Sequence, residues 1–175
     1  SPNGWDQLMS LPRRFRLAGG PHRDELRMEP AGDLASLRGR RVQMGEQELP
    51  ANTDVVLEDI AGNALELIAE IDPAESAGVE LQVLRSPAAA ELTRIVYVPR
   101  GGYRRHDYGR HDHPSVRTRS AVSLDTTRSS TSPGVLCRLP ENADVLLEPD
   151  EPLELRVYID RSIVEVFVNS RRSEE

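Results

Sequence analysis

The end of the chain alternates between apolar and polar side chains, and this alternation constrains the fold more than any other feature. Every second residue from 153 to 159 is apolar: Leu153, Leu155, Val157 and Ile159. A period of two is typical of a β-strand with one buried face. After a polar break at residues 160–162, the β-branched and aromatic residues of 163–168 favour a second strand. The two segments together predict a β-hairpin.

Residues 41–175 contain further apolar runs of strand length, separated by residues that favour turns. The candidate strands are 53–60, 63–71, 79–84, 92–98, 120–124, 135–139 and 144–148. Pairs such as Asp72-Pro73 and Ser86-Pro87 between them set turn dihedrals. Short strands separated by turns are typical of a sandwich or a barrel. We predict an all-β fold, a sandwich of two antiparallel sheets.

The first 40 residues differ from this pattern. Residues 1–30 are polar and rich in Pro, Gly and Arg, and do not suggest a self-contained domain. Residues 31–40 carry Leu34 and Leu37 behind a Gly32-Asp33 pair that can cap a short helix. We therefore predict a linker helix at 31–40 and the sandwich over 41–175.

Charge and hydropathy exclude several classes of partner. The net charge is −7 and no dense basic run occurs, which argues against nucleic acid or an anionic membrane as the main partner. No apolar run is long enough to span a bilayer, and the first residues lack the layout of a signal peptide. The sequence therefore leaves two locations as alternatives, secretion and the cytoplasm. Cys137 is the only cysteine, so no internal disulfide can form, and we interpret it as a small apolar strand residue.

Several motifs carry a family resemblance. The run Asp160-Arg161-Ser162-Ile163-Val164-Glu165-Val166-Phe167 resembles the signature of the C-terminal β-sandwich module of glycoside hydrolase family 32, the invertases, inulinases and levanases. Residues 4–15 resemble the last piece of the family's catalytic β-propeller, with Arg14 and Phe15 in place of the usual Glu and Leu. Residues 26–38 resemble its connector, and 122–129 its Leu-Asp-Arg-Ser-Arg-Ser segment. The resemblance implies that residues 1–30 are a remnant of the propeller end and connector.

The resemblance also implies what the chain does. Family members carry the carboxylate nucleophile and the acid on the propeller, so we expect no catalytic machinery and no cofactor in this chain. The implied function is a non-catalytic module that stabilises the catalytic β-propeller of a fructan- or sucrose-hydrolysing enzyme. The alternative is an independent module that binds fructan.

Three carboxylates lie on these motifs: Asp125, Asp160 and Glu165. An Asp followed two residues later by Ser or Thr at a strand break commonly accepts hydrogen bonds from nearby backbone amides. We favour such a structural role over acid/base chemistry. A further hypothesis is that Asp160 or Glu165 faces the propeller and belongs to a domain interface.

The long polar stretch from Pro99 to Arg119 holds the remaining candidate residues. His111 and His113, with Asp107 or Asp112, could chelate a divalent metal, but five nearby arginines oppose a cation and a solvated loop is favoured. Tyr103 and Tyr108 are the candidates for contact with a sugar.

The polar residues after Asn169 predict that no further strand follows the terminal hairpin. A missing strand exposes a sheet edge, so we predict homo-oligomers that form through that edge or by a swapped segment.

Overall fold

The structure is a computed structural model, and it describes residues 8–19, 25–73, 76–99, 120–136, 139–145, 147 and 151–174. Its strands are β1 (Arg13–Ala18), β2 (Glu25–Pro30), β3 (Ala64–Ile71), β4 (Val79–Val83), β5 (Thr93–Val98), β6 (Ser120–Asp125), β7 (Glu141–Val145), β8 (Leu153–Asp160), β9 (Ile163–Val168) and β10 (Arg172–Glu174). They form three antiparallel sheets, in the orders β1-β2, β10-β9-β8-β3 and β4-β5-β6-β7. The two four-stranded sheets share one hydrophobic core, which confirms the predicted all-β sandwich.

The alternating aliphatic side chains of the terminal hairpin form the centre of that core. Leu153, Leu155 and Val157 of β8 are at most 1% exposed. The opposite sheet contributes side chains of the same kind, among them Ile95, Val122, Leu124 and Val145. Full burial of each such side chain contributes roughly 1.5–3 kcal/mol, which is how a chain with few aromatic residues sustains a core.

The predicted hairpin is confirmed in its register. Val157 lies opposite Val166, and Asp160 lies opposite Ile163, so Arg161 and Ser162 form the turn. Arg161 adopts a left-handed backbone with φ of 56°. The polar break in the sequence is therefore the turn that reverses the chain.

Two of the predicted strands are wrong. Residues 53–60 lie within a described stretch, 38–63, that contains neither strand nor helix, and Val55 and Val56 are 43% and 62% exposed. Their apolar residues are consecutive rather than alternating, so they offer no single face to a core. Val135 and Leu136 also lie outside any strand and are 56% and 79% exposed.

The regular structure of the N-terminal part is slight. Between 31 and 40 the chain forms one 3-10 helix, Leu34–Leu37, and the Asp33 side chain accepts a hydrogen bond from the Ser36 backbone N–H at 3.2 Å. Leu37 is 80% exposed, so the turn buries no apolar face that would support a longer helix. Before it, β1 and β2 form a separate hairpin that the sequence pattern does not show.

The end of the chain corrects the prediction that no strand follows Asn169. Arg172–Glu174 pairs with β9, with Arg172 opposite Val168 and Glu174 opposite Val166. Strand pairing uses backbone groups, so a polar segment can supply it. Self-association through the rest of this edge stays a prediction.

None of the helical structure in the described residues is long and apolar enough to cross a membrane.

Candidate domain interface

The sheet β10-β9-β8-β3 has an outer face, which we define as its surface turned away from the core. On β9 the inward positions are Val164, Val166 and Val168, so Glu165 and Phe167 lie on the outer face. Both are nevertheless buried, at 3% exposure each. An outer face of a sandwich is normally solvated, and these two residues show that another part of the chain covers it.

The covering part is the segment that leads into β1. The Leu11 backbone N–H donates a hydrogen bond to Oε1 of Glu165 at 2.7 Å, and Nη2 of Arg13 donates to Oε2 at 3.3 Å. A buried carboxylate is costly unless its oxygens are hydrogen-bonded and its charge is paired. Glu165 has both kinds of partner, and both come from residues more than 150 positions away in the sequence.

Aromatic contacts extend this covered area. The Arg13 guanidinium lies 5.8 Å from the centroid of the Phe167 ring, a cation–π distance. Tyr158 meets the same ring edge-on, with centroids 5.8 Å apart and planes at 88°. Arg13 therefore contacts both outward residues of β9 at once.

A second polar cluster lies beside it on the outer face. Glu66 of β3 accepts hydrogen bonds from Nη2 of Arg38 at 2.9 Å and from the Tyr158 hydroxyl at 3.0 Å. These donors, Arg38 first, hold the pKa of the Glu66 carboxyl below its usual value despite partial burial. Burial and the carboxylate of Glu66 raise the pKa of Tyr158. Residues on both sides of the 3-10 helix, Arg13 before it and Arg38 after it, thus bind the same sheet face.

The β1-β2 hairpin is attached at the end of β9. The Met28 backbone N–H donates to the Ser170 carbonyl at 2.7 Å, and Nη1 of Arg27 donates to the Asn169 carbonyl at 3.0 Å. The Asn169 side chain in turn accepts from the Glu154 backbone N–H at 3.0 Å and donates to the Pro152 carbonyl at 2.9 Å. Asn169 therefore joins the hairpin, β8 and β9.

The same hairpin presents an apolar surface to solvent. Phe15 lies opposite Met28 and Leu17 lies opposite Leu26, so these side chains share one face. Phe15, Leu17 and Leu26 are 55%, 66% and 53% exposed. Just before the hairpin, Met9 is 88% exposed. Exposed apolar side chains that share one face in this way are a feature of interaction surfaces.

The motif carboxylates do not meet in one site. Asp125 lies on β6 in the other sheet, where its Oδ1 accepts from the backbone N–H of Thr127 at 2.9 Å and it forms an ion pair with Arg94. Burial raises the pKa of Asp125, but the hydrogen bonds from Thr127 and Arg94 outweigh it and the pKa is lowered. Asp160 is exposed at the hairpin turn, away from the contacts of Glu165. The predicted hydrogen bond from a nearby backbone amide to Asp125 is thus confirmed by its bond with Thr127.

Other sequence candidates lie outside the described residues: His111, Asp112, His113, Tyr103, Tyr108 and Cys137. Within the part of the chain that the structure describes, no three His, Cys, Asp or Glu side chains come together as a metal site.

Sequence reasoning missed Leu11, Arg13, Arg38 and Glu66. The only available signal was the acidic residue inside the apolar run Ile163–Val168, which needs a partner if both faces of the strand are buried. The partner could not be identified, because a backbone N–H such as that of Leu11 leaves no trace in side-chain pattern.

The family model described as glycosyl hydrolases family 32 C terminal matches residues 33–173, most of the chain. No curated protein matches the chain.

Proposed function

Since the chain belongs to the family of glycosyl hydrolase family 32 C-terminal modules, we propose that it is a non-catalytic module that stabilises a catalytic β-propeller preceding it. The observation that carries this proposal is the contact of Glu165 with Leu11 and Arg13. The family match begins at residue 33, so a buried carboxylate of the module binds residues that precede the module.

The position of those residues gives the contact its meaning. Residues 4–15 resemble the last piece of the family's catalytic propeller. A hydrogen bond to the Leu11 backbone and an ion pair with Arg13 therefore hold the end of the propeller against the outer face of the sandwich. Local unfolding of that end of the propeller must first break the buried, charge-assisted contact with Glu165.

Two further observations support a propeller as the occupant of the exposed apolar surface. Phe15, Leu17 and Leu26 lie on the hairpin next to Glu165's partners, and Met9 precedes it in the chain. This surface is therefore continuous with the segment that resembles the propeller end. Burial of four such side chains at an interface removes apolar surface from water on both partners.

The chemistry of the motif carboxylates fits a structural role. Glu165 and Asp125 lie in different sheets, and each is engaged by hydrogen bonds and an arginine. A retaining glycosidase needs two carboxyl groups about 5 Å apart on either side of a bound sugar. We assign that pair to the propeller, and we propose that the complete enzyme hydrolyses a fructan or sucrose.

The test joins the chain, at Ser1, to a family 32 catalytic propeller from which its own C-terminal module and the last piece that residues 4–15 replace have been removed. The thermal half-life of fructose release from sucrose or levan is compared for the propeller alone, the fusion and a fusion carrying Glu165→Ala. We expect the longest half-life for the intact fusion and a large loss of that gain in the variant. Equal half-lives for all three proteins would refute the proposal.

A further inference from the structure

A long exposed segment connects the 3-10 helix with the sandwich. We define this exposed segment as residues 39–56, in which every residue is exposed and neither strand nor helix forms. Among the described residues, no backbone–backbone hydrogen bond joins it to another part of the chain. The side-chain bonds from Arg41 to Gln43 and from Thr53 to the Ala51 carbonyl stay within it. The domain interface described above does not use it.

The exposed segment has the properties of a site of proteolytic cleavage. An endoprotease binds several consecutive residues of its substrate in an extended form, so a helix or a paired strand must first open locally. The free energy of that opening protects regular structure from cleavage. Residues 39–56 have no helix or strand hydrogen bonds to lose. Their cleavage therefore requires no prior unfolding of the sandwich.

A pair of arginines at the start of the exposed segment indicates the class of protease. Arg40 and Arg41 are both exposed, and neither forms an ion pair with a described residue. Proteases that select arginine bind the free guanidinium with a carboxylate in their specificity pocket. Arg38 differs, because its guanidinium is already bound to the carboxylate of Glu66. No further basic residue occurs before Arg85, so an arginine-specific cut within the exposed segment has to follow a member of the pair.

The two pieces that such a cut produces are held together by contacts that the cut leaves intact. Leu11 and Arg13 on the N-terminal piece bind Glu165 of the sandwich. The β1-β2 hairpin is attached separately, by the bond from Arg27 to the Asn169 carbonyl at 3.0 Å. The second polar cluster, whose bound guanidinium also precedes the cut, adds a third attachment. Release of the N-terminal piece requires all three attachments to break together, which favours its retention.

We propose that arginine-specific endoproteases cleave this chain at the Arg40-Arg41 pair, and that the two pieces remain one folded particle. In the reaction, water adds across the amide that follows one of these arginines. The amide C–N bond breaks, and the pieces gain a carboxylate and an amino group without any other reactant. The inference goes beyond support of a propeller, because it concerns only residues of this chain. Cleavage converts the covalent link between the hairpin and the sandwich into a noncovalent one.

Limited digestion of the full chain with trypsin tests the site, with intact-mass spectrometry to assign each cut over time. Arg14 and Arg16 are the matched internal controls. Both are exposed arginines, but they lie on β1, whose backbone is paired with β2. We expect cleavage after Arg40 or Arg41 to be at least about tenfold faster than after either control, because only the controls need local opening. An equal or slower rate at the pair would overturn the proposal.

Native mass spectrometry of the singly cut chain tests the retention of the two pieces. We expect one noncovalent complex, and a release of the N-terminal piece that is about tenfold greater in Arg27→Ala, the effect of one hydrogen bond to a charged group. Arg14→Ala is the control, because this exposed side chain of the same hairpin forms no bond with a described residue. A thermal melt checks that both variants fold. Separate pieces in the unsubstituted chain, or equal release in the two variants, would overturn the proposal.

Discussion

Replacement of Glu165 by alanine should destabilise the chain far more than removal of an exposed glutamate from the same face of the sheet. Glu165 is 3% exposed and accepts from the Leu11 backbone N–H and from the Arg13 guanidinium. The variant leaves both donors without this acceptor inside the contact. A hydrogen bond to a charged group contributes about 1.5–3 kcal/mol.

The expected magnitude follows from the exposure of the two partners. The Arg13 side chain is 19% exposed and can recover part of its hydration, whereas the side chain of Glu165 is 4% exposed. We therefore expect the free energy of unfolding to fall by about 2–4 kcal/mol, less than the sum of two full bonds. For a chain of this length that corresponds to a drop in Tm of roughly 5–15 °C.

Urea unfolding followed by circular dichroism measures this loss, with Glu70→Ala as the control. Glu70 is an exposed glutamate on β3 of the same sheet, and its loss should change stability by less than about 0.5 kcal/mol. A double-mutant cycle with Arg13→Ala should give a coupling of about 1–3 kcal/mol. A loss in Glu165→Ala no larger than in Glu70→Ala, or a coupling of zero, would refute the reasoning.

Three further predictions concern the core, the second polar cluster and the attachment of the hairpin. Leu155→Ala should cost about 2–5 kcal/mol in urea unfolding because Leu155 is 1% exposed, whereas Ile68→Ala, at 55% exposure, should cost under about 0.5 kcal/mol; similar losses would contradict the assigned core. The lowered pKa of Glu66 contributes stability that is present above the unfolded-state pKa of about 4.3 and is lost as the pH falls through the folded-state pKa. The urea midpoint should therefore fall more steeply with decreasing pH in the native chain than in Glu66→Gln. Parallel pH profiles of the two proteins would contradict this. Asn169→Ala should lower the free energy of unfolding by about 1–3 kcal/mol, because it removes the side-chain bonds to Glu154 and Pro152 and places alanine in a left-handed backbone with φ of 46°. The same variant should increase amide hydrogen exchange at Met28, whose N–H bonds to the neighbouring Ser170 carbonyl. Unchanged exchange at Met28 would argue against a role of Asn169 in attaching the hairpin.

The sequence predicted those parts of the fold in which side-chain pattern and packing coincide. Leu153 to Ile159 alternate, and each apolar side chain among them lies in the core. The turn at residues 160–162 and the strands β3 to β6 were predicted for the same reason, because their apolar runs are bounded by residues that favour turns. The family resemblance was confirmed by the match of the family model to residues 33–173.

The predictions that failed concern segments whose structure is decided by backbone pairing or by tertiary contacts rather than by side-chain pattern. Residues 53–60 have the composition of a strand but pair with no strand among the described residues, and Arg172–Glu174 pairs with β9 although its composition does not favour a strand. The partners of Glu165 could not be predicted, because Leu11 and Arg13 meet it only after the chain has folded back across the sheet. In the sequence, Glu66 has the pattern of an ordinary solvent-facing glutamate on a strand. Its hydrogen bonds with Arg38 and Tyr158 form only in the folded structure, so the sequence pattern does not show them.

Differential scanning calorimetry of the propeller fusion tests the central claim most directly. If the sandwich supports the propeller through Glu165, the intact fusion should unfold in one cooperative transition above the Tm of the isolated propeller, and Glu165→Ala should split it into two. Two independent transitions in the intact fusion, with the propeller melting at the temperature at which it melts alone, would contradict the account.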